Sequence, residues 1–177
     1  MQLFPFYKVG RRYAYNGTGM ELVCAMLENI GGESLPNLYK NHLFDPLGCS
    51  HTTATTASYD GRSVPLDMAR IAQMMLNRGA YGDKRFFGGK TFEKMLPRKL
   101  TKTPAGDVSK EYGIGLTWVE HYPLGEGAFT HGAASGATTF ISPEYNLLIC
   151  MTRNALGRDL DTYHPRFVEA VIDGLAH

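Results

Sequence analysis

The sequence predicts an α+β protein, on three observations. Apolar positions recur at helical spacing through about the first hundred residues. From about residue 111 the pattern changes to short strand-like segments separated by Pro- and Gly-rich turns. The last stretch is helical again. Helices first, then an antiparallel meander closed by a helix, is not the strand–helix alternation of a parallel α/β sheet. The division expected is a mainly helical lobe over 1–110 and antiparallel strands with a closing helix over 111–177, within one domain.

Each element has a local reason. Leu22, Val23, Met26, Leu27 and Ile30 share one face of a helix that Gly31-Gly32 stops. Ser34 resembles the N-cap of a second helix carrying Leu35, Leu38, Tyr39 and Leu43, and Asp45-Pro46-Leu47-Gly48 reads as a turn. His51 to Arg62, rich in Thr and Ser, reads as loop. Pro65 suits the first turn of a helix whose face is Met68, Ile71, Ala72, Met75 and Leu76, ended by Gly79. Thr91 to Leu96 suggests a short helix closed near Pro97, and 98–110 reads as a solvated basic connection. Ile114, Leu116, Trp118, Phe129, Phe140 and Leu147 to Met151 are strand-like. Asp161 to Leu175 is the closing helix, with Phe167, Val168, Val171, Ile172 and Leu175 on one side.

Composition bounds the function. The formal net charge is +1 with acids and bases mixed, so no basic stripe offers itself to nucleic acid. No window is long and apolar enough for a membrane span. The opening Met-Gln-Leu-Phe-Pro-Phe lacks the basic start and apolar run of a signal peptide. Cys24, Cys49 and Cys150 are too scattered for a disulfide framework or a zinc site, and Cys24 and Cys150 read as buried small hydrophobes. His121, His164 and His177 are too dispersed for a metal site, and no cofactor is expected. The methionines at 68, 74 and 75 read as core filler. Ser135 is a poor nucleophile candidate, because Gly-x-Ser-x-Gly would need glycine where Ala133 and Ala137 stand.

A series of landmarks carries more. Tyr13-Ala14-Tyr15-Asn16-Gly17-Thr18-Gly19 precedes an amphipathic helix, and Leu43-Phe44-Asp45-Pro46-Leu47-Gly48-Cys49 is followed by Thr52. Asp67 to Gly79 reads DMARIAQMMLNRG, Tyr112 to Leu116 reads YGIGL, and Phe129 to Gly136 reads FTHGAASG with Ile141-Ser142-Pro143-Glu144 behind it. In order, these resemble the Tyr-x-Asn region, the "PLGM…T" turn, the "DLARFGQMLLNGG" helix, "YGLGW", "HGGxxG" and the "IDP" turn of the serine β-lactamase/penicillin-binding-protein superfamily. The resemblance is to its class C-type branch, which includes esterases and D-amino-peptidases, and it covers nearly the whole chain.

That resemblance implies the C-terminal portion of a β-lactamase/transpeptidase-like fold, with a three-stranded sheet remnant. The parent would be a serine hydrolase that forms an acyl-enzyme with a small-molecule acyl substrate: a β-lactam, D-amino peptide or ester. Tyr15 would be the general acid/base, and His131 the first residue of the strand motif lining the opposite wall. Asn16, Gly132, Ala133 and Ala134 would bind substrate, with the Ala134 N–H completing an oxyanion hole. Two departures stand out. Gly17 occupies the place of the motif asparagine, with Asn16 shifted by one, and no serine is followed three residues later by lysine. The chain alone is therefore expected to be inactive, and the alternative is a degenerate binding or assembly domain. The strand carrying His131 to Ser142 is expected to leave an edge that another copy, as a homodimer, or a rearranged segment covers. Family resemblance points to an exported or periplasmic parent.

Overall fold

The computed structural model describes residues 16–99 and 111–175. Asn16 caps the first helix, α1 (Gly17–Gly31), its side-chain oxygen accepting from the Gly19 N–H at 3.3 Å. Gly32 ends α1 at φ 70°, where its N–H returns to the Glu28 carbonyl. The second helix, α2 (Leu35–Tyr39), widens into a π turn over Lys40–Phe44 and closes as α3 (Asp45–Leu47). The Asp45-to-Gly48 segment is thus the last turn of a helix, ended by Gly48 at φ 72°, and only then a change of direction.

The loop from His51 to Arg62 is irregular as expected, apart from one bridge between Thr53 and Arg62. Helix α4 (Pro65–Leu76) follows, with Ala72, Met74 and Met75 buried. Next come a hairpin, β1 (Ala80–Tyr81) with β2 (Lys84–Arg85), the short helix α5 (Gly89–Met95), and β3 (Arg98–Lys99) paired with β4 (Glu111–Tyr112). These two-residue strands are too short to produce an alternation that could be read in advance. Ile114, expected in a strand, is exposed beside the Gly115 bend.

The main sheet is antiparallel, in the order β5 (Thr117–Trp118), β6 (Phe129–Gly132), β7 (Thr138–Ser142), β8 (Leu147–Met151). Four strands stand where three were expected, because Thr117-Trp118 adds to β6. The segment from His131 to Ser142 is two strands, with β6 between β5 and β7 and β7 between β6 and β8; β5 reaches only Phe129 and Thr130, so among the described residues no strand lies on that side of His131 and Gly132. The outer strands are β5 and β8.

Side chains alternate across the sheet and give it two packed faces. Phe129, Ile141 and Leu116 meet Ala72, Met74 and Met75 of α4 together with Phe44, Leu47 and Phe92. Phe140 and Ile149 meet Val168 of the closing helix α6 (Leu160–Asp173), with Leu124 and Ala128. Of the expected α6 face, Val168 is fully buried and Val171 and Ile172 pack in this cluster, while Phe167 and Leu175 remain exposed. Among the described residues no helix is long and apolar enough to cross a membrane.

Candidate functional site

The alternation that buries Phe129 also places His131, two residues on, at the mouth of a cleft between the two packed layers. This cleft has a volume of about 890 Å³. One wall is the loop residues Thr52 to Ala54 and Gly61 to Ser63, with Met68 and Ile71 of α4 at its base. The other wall is His131, Ala133, Thr138 and Thr139 of the β6–β7 hairpin, closed by Thr152, Arg153 and Asn154 after β8.

His131 Nδ1 lies 2.6 Å from the Gly115 carbonyl oxygen. A carbonyl can only accept, so Nδ1 carries the proton, and in a neutral ring Nε2 remains an acceptor. Gly132 pairs with Thr138 at the strand ends, and Ala133 to Gly136 then makes a tight turn. The Gly136 N–H donates to the Ala133 carbonyl at 2.9 Å, and the Ala133 N–H to the Ala137 carbonyl at 2.9 Å. The turn needs glycine at 136, where φ is +82° and a Cβ would meet Leu160 at 2.4 Å. Between those two bonded positions, the exposed Ala134 N–H makes no hydrogen bond among the described residues.

The hairpin is anchored from behind. Thr138 Oγ1 lies 2.9 Å from Nε2 of His164 on α6, whose ring stacks on Phe140. Burial and then the nearby Arg153 hold His164 below the usual histidine range, which favours the neutral ring. Arg153 itself donates to the carbonyls of Ala155 and Leu156. Among the described residues the charged side chains of the cleft lining are Arg62 and Arg153, and no carboxylate lines it, so its field favours an anionic group.

The opposite wall is held by two carboxylates. Asp67, fully buried at the start of α4, accepts from the His51 N–H at 2.7 Å, from Thr52 Oγ1 at 3.0 Å and from Arg70 at 2.5 Å. Burial pushes its carboxyl up, but these three donors outweigh it and hold the group below its ordinary value. Glu21 of α1 accepts from the Ala57 and Ser58 N–H groups and from Ser58 Oγ at 2.6 Å, pinning the far end of the loop.

The expected site residues therefore separate. His131 and Ala133 line the cleft, while Gly132 and Ala134 lie beside them in the strand end and turn. Asn16 caps α1. Tyr15 lies outside the described residues. Sequence reasoning missed Thr138, Thr139 and Arg153. Thr139 was legible from the period-two alternation with Ile141, but Arg153 needed the third dimension. Gly17, the departure from the motif, has a packing reason: a Cβ there would lie 2.6 Å from Ser58 Oγ and 3.0 Å from its Cβ. Replacing Gly17 by asparagine should cost about 1–3 kcal/mol, since it forces atoms into a filled space. Urea unfolding checks this, and adding Ser58→Gly should recover part of the loss.

Comparison with known proteins agrees with the geometry. Residues 1–171 match the family model for Beta-lactamase. The N-acetylmuramyl-L-alanine amidase of Bacillus subtilis (strain 168) is 32% identical over 89 residues, which is 50% of this chain and 20% of that protein. A β-lactamase structure from Mycobacterium bovis superposes with a TM-score of 0.73 at 16% identity, covering 96% of this chain and 66% of that one. The octameric penicillin-binding protein homologue from Pyrococcus abyssi gives 0.68 at 23% identity, covering 95% and 44%. This chain thus spans about a fifth of the amidase it matches, and the two structural likenesses are likenesses of fold. With the family match running over nearly every residue, the chain belongs to the beta-lactamase family.

Proposed function

We propose that this chain carries one wall of the site of an acyl-transferring hydrolase acting on a β-lactam, D-amino peptide or ester. The observation that carries the reading is the β6–β7 hairpin: His131 at the cleft mouth and, three residues on, the exposed Ala134 N–H without a partner among the described residues. A preorganised N–H of that kind is what a developing acyl oxyanion requires. Family membership and the hydrolase names of relatives support the class of chemistry. Tyr15, immediately before the cap of α1, is proposed as the general acid/base. The anionic preference of a cleft lined by Arg62 and Arg153 favours acyl compounds bearing a carboxylate.

No serine here is followed by lysine three residues on, so the nucleophile in this reading comes from outside these 177 residues, and the chain alone is inactive. Titrating labelled protein with benzylpenicilloate, D-alanyl-D-alanine and a butyrate ester should move the amide signals of His131 and Ala134 saturably. A titration that leaves both unmoved would sink the proposal. Nitrocefin or p-nitrophenyl ester turnover that disappears on Tyr15→Phe would overturn the inactivity of the chain alone.

A second reading has one specific support: Asn16 spends its side-chain oxygen on the helix cap, and Gly17 is required by Ser58. A chain in which the motif asparagine has become structural suits a binding or assembly domain. Ligand binding at His131 with no acylation, even in a longer form of the protein, favours it.

A further inference from the structure

The first turns of α6 form a seat under the β6–β7 hairpin. Leu160 and His164 are one helical turn apart, and so lie on the same side of the helix. Leu160 supports the Gly136 turn, where an added Cβ would stand 2.4 Å from its Cδ2 and 3.7 Å from the Arg153 side chain. His164 supports the strand that follows, with Nε2 2.9 Å from Thr138 Oγ1. Thr138 opens β7 directly opposite Gly132, the last residue of β6. Whatever fixes Thr138 therefore fixes the strand end that leads into the Ala133-to-Gly136 turn.

Two aromatic neighbours set the plane of the His164 ring. It stacks on Phe140 with centroids 5.8 Å apart and meets Tyr122 edge-on at 6.4 Å. Among the described residues the charged and titratable groups facing it are Arg153, in the connection after β8, and Tyr122, in the connection between β5 and β6. Tyr122 in turn feels Glu169 of α6. From β7 the ring meets Thr138 and Phe140, neither of them charged. No carboxylate is bonded to the ring among the described residues, so nothing there balances a positive charge.

One proton lies between Nε2 and Oγ1, and chemistry decides which atom owns it. Thr138 Oγ1 has no other acceptor among the described residues. In the neutral ring its hydroxyl therefore donates, Nε2 accepts, and the ring's own proton sits on Nδ1. Protonation reverses the contact. Nε2–H becomes the donor, the hydroxyl proton must turn away, and a cation comes to face Arg153. Arg153 lines the cleft and keeps its guanidinium on the carbonyls of Ala155 and Leu156, so the repulsion acts on the segment that closes the cleft.

We propose that His164 is a positioning residue of the cleft: its neutral ring holds Thr138 and leaves Arg153 in place, while its cation reverses the first contact and repels the second. The hairpin and the closing segment are then set at neutral pH and disturbed in acid. The use of that cleft rests on the acyl-transfer reading, but the contact itself can be tested with no ligand present.

Nuclear magnetic resonance of the isotopically labelled chain tests it, from about pH 4.5 to 8, the range in which histidine changes charge. At the upper end the His164 ring nitrogens should report the Nδ1–H tautomer. On acidification the ring should titrate with a midpoint below the ordinary 6.5, and the Thr138 amide and Arg153 Nε–H signals should move with it. His164→Gln can bond to Thr138 but cannot titrate, so it should abolish that component at both signals. Arg153→Gln removes the facing cation and should raise the His164 midpoint. Three results would overturn the proposal: an Nε2–H tautomer at neutral pH, Thr138 and Arg153 signals that titrate unchanged in His164→Gln, or a midpoint indifferent to Arg153→Gln. A ring that behaves as expected, in a chain whose His131 and Ala134 amides ignore every acyl ligand, would remove the acyl-transfer reading and leave this one standing.

Discussion

Replacing Phe129 by alanine should destabilise the protein by about 3–5 kcal/mol, the usual cost of emptying a large aromatic site in a packed core. Phe129 is 1% exposed and meets Phe92 edge-on with ring centroids 5.9 Å apart. It sits where the sheet, α4 and α5 join, so neighbouring side chains cannot collapse into the space without moving an element. Denaturant unfolding at neutral pH measures the loss. Because His131 follows two residues later on the same face of β6, the milder Phe129→Leu should also displace the His131 amide resonance in a protein that still folds. A loss under 1 kcal/mol for the alanine variant would show that Phe129 does not anchor the joint.

The second large effect should come from Asp67→Ala, at about 3 kcal/mol. This change removes a buried acceptor and leaves the His51 N–H and the Thr52 hydroxyl unpaired, while Arg70, 29% exposed, can turn to water. In a domain of this length that corresponds to a fall in melting temperature of roughly 6–12 °C. The pH dependence follows from the direction of the carboxyl's shift. Its folded value lies below the ordinary 3.8, so its contribution is full above about pH 4 and is lost as pH falls through the lowered folded value. Wild-type stability should therefore drop steeply in acid, and Asp67→Asn should flatten that part of the curve. Equal acid sensitivity in wild type and Asp67→Asn would assign acid unfolding to other groups.

Both effects converge on the cleft from opposite sides, Phe129 supporting the hairpin and Asp67 the loop. How legible they were differs. Phe129 was visible as one member of a strand-like apolar series. Asp67 was visible only as an acidic residue in the first turn of a helix, where a helix dipole gives reason enough for it. Its connection to His51 and Thr52 spans some fifteen residues of irregular loop, and no periodicity encodes such a contact. The helices over 17–31, 65–76 and 160–173 were readable because each carries a 3.6-residue pattern with glycine or proline punctuation. The two-residue strands β1 to β4 were not, because two residues cannot display an alternation.

The same division holds for the whole protein. Residue order by itself determined the α+β class, the main helix boundaries and the family, since these depend on short-range periodicity and on a series of local motifs. Tertiary structure decided which surfaces meet. It placed β6 between β5 and β7, brought Arg153 and Thr139 to the cleft beside His131, and used Asn16 as a cap. It also turned the apolar face of α1 outward, because Glu21 and Glu28 find their donors on the inner side. Periodicity shows that a helix has an apolar face, but only long-range packing selects what that face is set against.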